Sequence, residues 1–374
     1  MRDPQGKKKV LIVYLGRRGG GHAVLEELML VFGELREKVQ CVLWKSRNNR
    51  ANSNSRLLNT CEIKNFSIIH NGLSLFNPLR LLGSLVVIIQ FRRQLRRIRP
   101  EFLVQVMPSP FDYFVDYFAA KMGIPIVRLI HDFQVHPGES WPTEKAIRSR
   151  VKRAQIIVVF SRYVLINLEK HFQSEISSKE FKLAQLPRTL RSDEVSTVNF
   201  FNNRSGNRDI RIAFIGRALR YKGLEFLASA LSETKFKFEF IAGGTGEFPK
   251  ILMSDYKVIN RWLSDSEFTT IIEQSDLIVL PYIEASQSGI IPLARRAGKW
   301  ILATDVGGLK EQLDGYNRSV VVAAGSRDEL VEGLEKVHSL WLLDDESSPS
   351  RDDDSPLPGI GKIIRELLTM EDSR

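Results

Sequence analysis

"LIVLPYIEASQSGIIPLARRAGKWILATDV", residues 277–306, sets the architecture of the chain. It opens on an apolar run that stops at Pro281 and closes on a second run, "KWILATDV". Both have the length of buried strands. Between them "IIPLARRAG" reads as a helix, with Pro292 in its first turn, where a missing N–H costs little. Strand, helix and strand in succession imply parallel pairing with helices packed on the sheet faces. The polar knot "EASQSG" then falls at the tip of a strand. In open sheets of this kind, ligands sit beyond the C-terminal strand ends.

The same rhythm runs through the chain twice. In the first half strands are expected at 10–15, 39–44, 102–105, 126–129 and 154–161. Helices are expected through "HAVLEELMLVFGEL", "FDYFVDYFAAKMG" and "SRYVLINLEKHF". In the second half "IRIAFIGRALRYKGLEFLASAL", "FEFIAGGTGEF", "SDLIVLPY", "KWILATDV" and "SRDELVEGLEKVHSL" repeat it. The polar stretch 191–209 reads as a linker. We therefore expect an α/β protein of two doubly wound, Rossmann-like domains facing across a cleft. The first spans 1–190 and the second 210–343. An acidic, low-complexity loop at 344–358 leads to a final helix at 359–370 that returns to the first domain.

Composition narrows the function. The 374 residues suit two cores rather than one. A hydrophobic share of 43% and a charged share of 26% are those of a globular protein. Net charge is +10, which favours an anionic partner. No zinc-finger spacing or RNA-binding signature accompanies that charge, so nucleic acid is not expected. The two cysteines, Cys41 and Cys61, are too few for a disulfide framework and read as reduced thiols of a cytoplasmic protein. The apolar run after Lys9 stops at Gly16 without a cleavage site, as a first strand does. The longest apolar stretch, "PLRLLGSLVVIIQF" at 78–91, is shorter than the ~20 residues of a membrane span. "RRQLRRIR" follows it. Helix statistics favour a core helix with a solvated end. A helix facing anionic headgroups is the competing reading.

The loops after the strands carry the chemistry. In "GRALRYKG", Arg217 stands at a strand end and Lys222 where the next helix begins. A helix start presents free N–H groups and partial positive charge, and Gly223 permits close backbone approach, so this loop suits a diphosphate. The peptides of Ser288, Gly289 and Ile290 are expected to aim N–H groups at the same anion. "AGGTGE" at 242–247 is a second glycine-rich turn. "GRRGGGH" at 16–22 is its counterpart in the first half, and it lacks the G-x-G-x-x-G spacing of a dinucleotide site. Trp44 and Lys45 stand where a ribose-binding acid would be needed, which argues against a nicotinamide enzyme. "RLIHD" places His131 and Asp132 just beyond a strand, with His136 further on and more in keeping with a structural role. These residues offer too few ligands for a metal site, and none is expected.

Together "GRALRYKG", "AGGTGE", "LPYIEASQSGIIPLARRAGKWILATDVGGLKE" and, more weakly, "GGGH" and "LIHD" resemble the retaining glycosyltransferases of family 4, with the GT-B fold, over nearly the whole chain. The resemblance implies a hexosyltransferase acting on a UDP- or GDP-sugar, with no cofactor and no metal. Arg217 and Lys222 would hold the diphosphate, Glu284 a sugar hydroxyl, and His131 would lie near the reacting carbon. Gly216, Gly244, Gly246, Gln287, Ser288, Gly289 and Ile290 would line the donor, with Arg261 and Trp262 near the base. Gly20, Gly21, His22 and Asp132 would face the acceptor. Many family members carry a second glutamate, separated from the first by seven residues. Here Pro292 or Ala294 stands in its place, which leaves the ribose contact open. The acceptor implied is a glycan or a lipid-linked sugar of cell-surface polysaccharide or lipopolysaccharide synthesis, met at the inner membrane face. A nucleotide-sugar epimerase or hydrolase, and a non-catalytic subunit of the same fold, are the alternatives.

Overall fold

The computed structural model describes residues 7–15, 21–46, 61–66, 78–135, 137, 142–187, 198–202, 209–344 and 357–370. Most of the expected linker at 191–209 and of the acidic loop at 344–358 lies outside them. So do Gly20 and His136. The chain forms two compact units. Among the described residues, the first takes in those up to Val135, then 142–187 and 357–370. The second takes in 137, 198–202 and 209–344.

The first unit is built on a seven-stranded parallel sheet. Its strands are β1 (Lys8–Tyr14), β2 (Val39–Ser46), β3 (Cys61–Phe66), β4 (Phe102–Gln105), β5 (Ile126–Ile130), β6 (Ile156–Val159) and β7 (Glu180–Leu183), in the order β3-β2-β1-β4-β5-β6-β7. β1 shows why both faces are covered. Side chains alternate along a strand. Val10, Ile12 and Tyr14 pack into one core with the helix Gly21–Glu34 and the C-terminal helix Ile360–Met370. Leu11, Val13 and Leu15 pack into another with the helices Pro78–Ile98 and Asp112–Lys121. The C-terminal helix is held by the Gly361 N–H donating to Glu27 Oε1 at 3.0 Å and by an Arg365–Glu34 ion pair.

Cys41 and Cys61 correct the expectation of separate thiols. They are direct partners in the β2–β3 register, with Cα atoms 4.8 Å apart, and are joined in a disulfide. Neighbouring in-register positions point to the same side of a sheet, which brings the two sulfurs together.

The second unit has a six-stranded parallel sheet. Its strands are β8 (Ile210–Ile215), β9 (Phe238–Gly244), β10 (Lys257–Asn260), β11 (Leu277–Leu280), β12 (Trp300–Thr304) and β13 (Ser319–Val322), in the order β10-β9-β8-β11-β12-β13. One continuous core joins this sheet to the helices Leu224–Leu231, Asp265–Gln274 and Arg327–Leu343 on its faces. Two doubly wound Rossmann-like units follow, as the strand–helix alternation implies.

In each sheet the strand order reverses once, between β1 and β4 in the first unit and between β8 and β11 in the second. At such a switch point, flanking connections leave toward opposite faces and open a crevice at the strand tips.

Candidate functional site

In the second unit the switch point lies between the loop after β8, residues 216–223, and the loop after β11, residues 281–289. These are the two loops that carry Arg217, Lys222 and "EASQSG". They are knitted to each other and to the next strand tips. The Ile283 N–H donates to the Tyr221 carbonyl at 2.8 Å, with Glu284 N 3.5 Å from the same oxygen. Gly216 N–H donates to Gly243 O at 2.9 Å, and Ala218 N–H to Thr245 O at 2.8 Å. Gly308 N–H donates to Ser286 O at 3.1 Å. Backbone comes so close here that side chains are excluded. Gly223 has φ +66°, and a Cβ there would overlap the Pro281 carbonyl. Gly244, at φ +149°, lies equally close to Gly216. Glycine alone combines a positive φ with such an approach.

This frame presents its polar side chains unequally. Arg217 is exposed, while Lys222 and Glu284 are half-buried. The Lys222 ammonium stands 3.5 Å from the centroid of the buried Tyr282 ring and 4.9 Å from that of Tyr221. The two ring faces restrict the lysine's freedom and fix its charge at the strand tips. Tyr282 is itself anchored, since its carbonyl accepts from Thr304 Oγ1 at 2.6 Å. Burial pushes its phenol well above the usual range, so it stays neutral beside the lysine.

Ser288 and Ile290 behave differently from the sequence expectation. The Ser288 N–H is turned to the Gln312 Oε1, 2.7 Å away, and Gln312 Nε2 donates back to the Ser288 carbonyl at 3.0 Å. The Ile290 N–H is 3.4 Å from Ser288 Oγ. Gly289, between them, is exposed, with nothing within 4 Å of a Cβ built on it. The Ser288 and Ile290 N–H groups at the start of the helix Ile290–Arg296 thus have acceptors within the unit, and Gln312 is a residue that sequence reasoning missed. Its signal was weak: a lone glutamine on a short helix two elements away. Ala294 is fully buried, so the position where a second glutamate could fall faces the core.

Arg261 makes a two-pronged pair with Glu267, at 2.9 and 2.6 Å. Glu267 also closes a capping box with Ser264 at the start of the helix Asp265–Gln274. Hydrogen bonding from Arg261 holds the Glu267 carboxyl down at about 2. Trp262 beside it is exposed. Arg261 is therefore committed to a helix cap, with Trp262 the more accessible of the two.

The first unit brings together a different set. His131 follows β5, stacks on Phe160 at 4.8 Å and is half-buried, as is Asp132. Burial lowers its pKa, so the ring is neutral at pH 7. Gly21 is buried at the start of its helix, where a Cβ would collide with the Met107 side chain. His22 Nδ1 lies 3.4 Å from Glu26 one turn on. Beneath the tips of β4 and β5 lies a buried charged network. Arg128, wholly buried on β5, meets Asp112 at 3.3 Å and Asp116 at 2.5 Å. Arg150 reaches Asp112 at 3.2 Å, and Gln105 donates to Asp116 at 2.9 Å. Burial outweighs both arginines and raises Asp112 to about 6, and it lowers Arg150 to about 10. Sequence reasoning missed this network. A lone arginine inside the strand "IVRLI", with acids four residues apart on the preceding helix, was the available signal.

Comparison with known proteins bears on these units. Residues 209–339 match the family described as "Glycosyl transferases group 1", which covers the second unit from β8 to the helix Arg327–Leu343. No curated protein sequence matches the chain. Among solved structures, sucrose-phosphate synthase from Thermosynechococcus elongatus is similar at a TM-score of 0.67 and 11% identity, over 97% of this chain and all of that one. HepE of Anabaena, solved with UDP and glucose, is similar at 0.65 and 13%, over 98% of this chain and 100% of that one. A UDP-N-acetylglucosamine 2-epimerase from Listeria monocytogenes, so described provisionally, is similar at 0.64 and 11%, over 98% and 96%. At these identities the likeness is one of fold, the two-domain GT-B architecture.

Proposed function

We propose, taking the second unit as a group 1 glycosyltransferase domain, that the protein transfers a hexose from a UDP- or GDP-sugar to a glycan or lipid-linked acceptor with retention of configuration. The observation that carries this is the switch point of the second unit. Within the stretch matched by the family, it places Arg217 and Lys222 on the loop knitted to "EASQSG". The structure of HepE with UDP-glucose supports a nucleotide sugar as the donor class.

In this reading, Arg217 and Lys222 stabilise the charge that builds on the leaving diphosphate, and Lys222 is the better preorganised of the two because Tyr282 and Tyr221 flank it. Fixed cations need no reorganisation as the bond breaks, which is where such groups contribute most. They also supply the positive charge that a metal would otherwise bring. Glu284 accepts from a donor-sugar hydroxyl. Gly289, the exposed glycine of the knot, lets the phosphate approach backbone. Trp262 offers a ring face to the base. In the first unit, neutral His131 can accept or donate a hydrogen bond to a sugar hydroxyl, and Gly21, His22 and Asp132 are the proposed acceptor contacts.

A panel of UDP- and GDP-sugars, assayed for product with and without added glycan and glycolipid acceptors, tests the reading. Arg217→Ala and Lys222→Ala should each lower transfer roughly 10²–10³-fold while the protein stays folded. Full activity in either variant would sink the assignment. The likeness to the Listeria epimerase supports a second reading, conversion of the donor sugar without an acceptor. An epimerised nucleotide sugar in the acceptor-free arm would establish it.

A further inference from the structure

The helix Pro78–Ile98 packs one face into the core and leaves the opposite face outside. Val87, Phe91, Leu95 and Ile98 are buried against the sheet. Leu85, Val86 and Ile89 are on the outside, exposed by 49%, 49% and 64%. Residues three and four apart share a helix face. Following the outward face from Leu85 and Ile89, the next residues are Arg92, Arg93, Arg96 and Arg97, all exposed. The neighbouring helix Asp112–Lys121 continues the surface. It turns Tyr113 and Tyr117 outward, exposed by 51% and 43%, while Asp112 and Asp116 are buried beneath. Basic groups cover both rings: Arg153 lies 4.4 Å from the Tyr113 centroid and Lys121 5.8 Å from that of Tyr117. A chain of ring contacts, Phe91–Phe111–Phe114–Tyr113, ties the two helices together under this surface.

We infer that this face is a docking surface for an anionic lipid bilayer. Three features select that occupant. The apolar side chains are few and grouped, enough to enter the interface but not to span it, and no helix among the described residues is long and apolar enough to cross a membrane. The rings are tyrosines, whose polar tips suit the headgroup level. The charged residues exposed on both helices are all basic, so the surface complements phosphate headgroups and not a mixed-charge protein face. Arginine stems are long enough to carry their charged heads to the lipid phosphates while the apolar side chains enter the interface. This inference is independent of the transferase reading, since it concerns binding to lipid and not turnover.

The test is co-sedimentation of the full chain with vesicles of phosphatidylcholine alone and of phosphatidylcholine mixed with phosphatidylglycerol, at low and high salt. Wild type should sediment with the mixed vesicles at low salt and not with phosphatidylcholine alone. Replacing Arg92, Arg93, Arg96 and Arg97 together by serine should abolish that binding, at roughly fivefold per arginine. Leu85→Ser with Ile89→Ser should weaken it and make the remainder fully reversible by salt. All the substituted side chains are exposed, and a thermal melt checks that the variants stay folded. No sedimentation with mixed vesicles, or sedimentation unchanged in the arginine variant, would overturn the inference. So would a wild-type dimer in light scattering that the Leu85/Ile89 variant dissociates, because a second copy would then be the occupant.

Discussion

Gly223→Ala should damage the second unit through one atom. Gly223 sits at φ +66° between the turn carrying Lys222 and the helix Leu224–Leu231. Placing a residue with a Cβ in that left-handed region costs about 1–2 kcal/mol. The added methyl would also overlap the Pro281 carbonyl oxygen and stand 2.9 Å from the Pro281 carbon. Both atoms are backbone, so one loop must move, at a further cost of about 1–3 kcal/mol. The sum, about 2–5 kcal/mol, corresponds to a fall of about 5–15 °C in the transition of a unit this size. The displaced loop carries Lys222 off the Tyr282 ring, so nucleotide affinity should fall at least tenfold, about 1.4 kcal/mol. Gly289→Ala is the control. Gly289 has φ −70° and open space around its Cβ position, so the melting temperature should hold. Differential scanning calorimetry and nucleotide titration of both variants give the answer. A Gly223→Ala protein with wild-type melting and wild-type nucleotide affinity would refute the view that backbone contact between the two loops builds the site.

Three further outcomes follow. Glu267→Ala should cost about 1 kcal/mol at neutral pH, as a lost capping contact does. The Glu267 carboxyl is held at about 2 in the folded state, against 4.5 ordinarily, so its contribution is present above pH 4.5 and fades as pH falls toward 2. Acid titration of stability should therefore be flatter in the variant over that window, and an unchanged profile would contradict it. Arg128→Met should destabilise the first unit by about 3–5 kcal/mol in denaturant unfolding, because Asp112 and Asp116 would remain buried with Arg150 alone, and a loss under about 1 kcal/mol would show the network to be incidental. Glu284→Gln should reduce turnover about ten- to a hundredfold, the range of a hydrogen bond to a charged group, while leaving nucleotide affinity near wild type. Loss of both together would place Glu284 elsewhere.

What the sequence disclosed and what it hid have a common physical origin. Central strands such as "VLIVY", "FLVQ", "IRIAFI" and "LIVL" are buried on both faces, and their largely apolar runs made them legible. The four strands that escaped notice are the four sheet edges. "CEIKNF" and "EFKL" border the first sheet, and "KVIN" and "SVVV" the second. An edge strand has one neighbour and partial exposure, so three of the four mix lysine, glutamate or asparagine with apolar residues, as loops do, while "SVVV" is apolar but only four residues long. The disulfide was hidden for the same reason, because Cys61 lies on an unrecognised edge strand. The loops bearing Arg217, Lys222 and "EASQSG" were legible because they follow strong central strands. The outward side of the helix Pro78–Ile98 was legible only as the competing reading. Its apolar residues run all round the helix, and hydropathy alone cannot tell a buried face from an exposed one. Nor could sequence show that Gln312 would take the Ser288 N–H, because that bond joins residues 24 apart.

The central claim is that the second unit holds a nucleoside diphosphate through the loop of Arg217 and Lys222. Calorimetric titration of the full chain with UDP and with GDP, in the wild type and in Lys222→Ala, tests it most directly. Saturable binding of at least one nucleotide by the wild type, weakened tenfold or more in the folded variant, is the expected result. A wild-type protein that binds neither nucleotide, or a Lys222→Ala protein that binds as tightly as wild type, would contradict it.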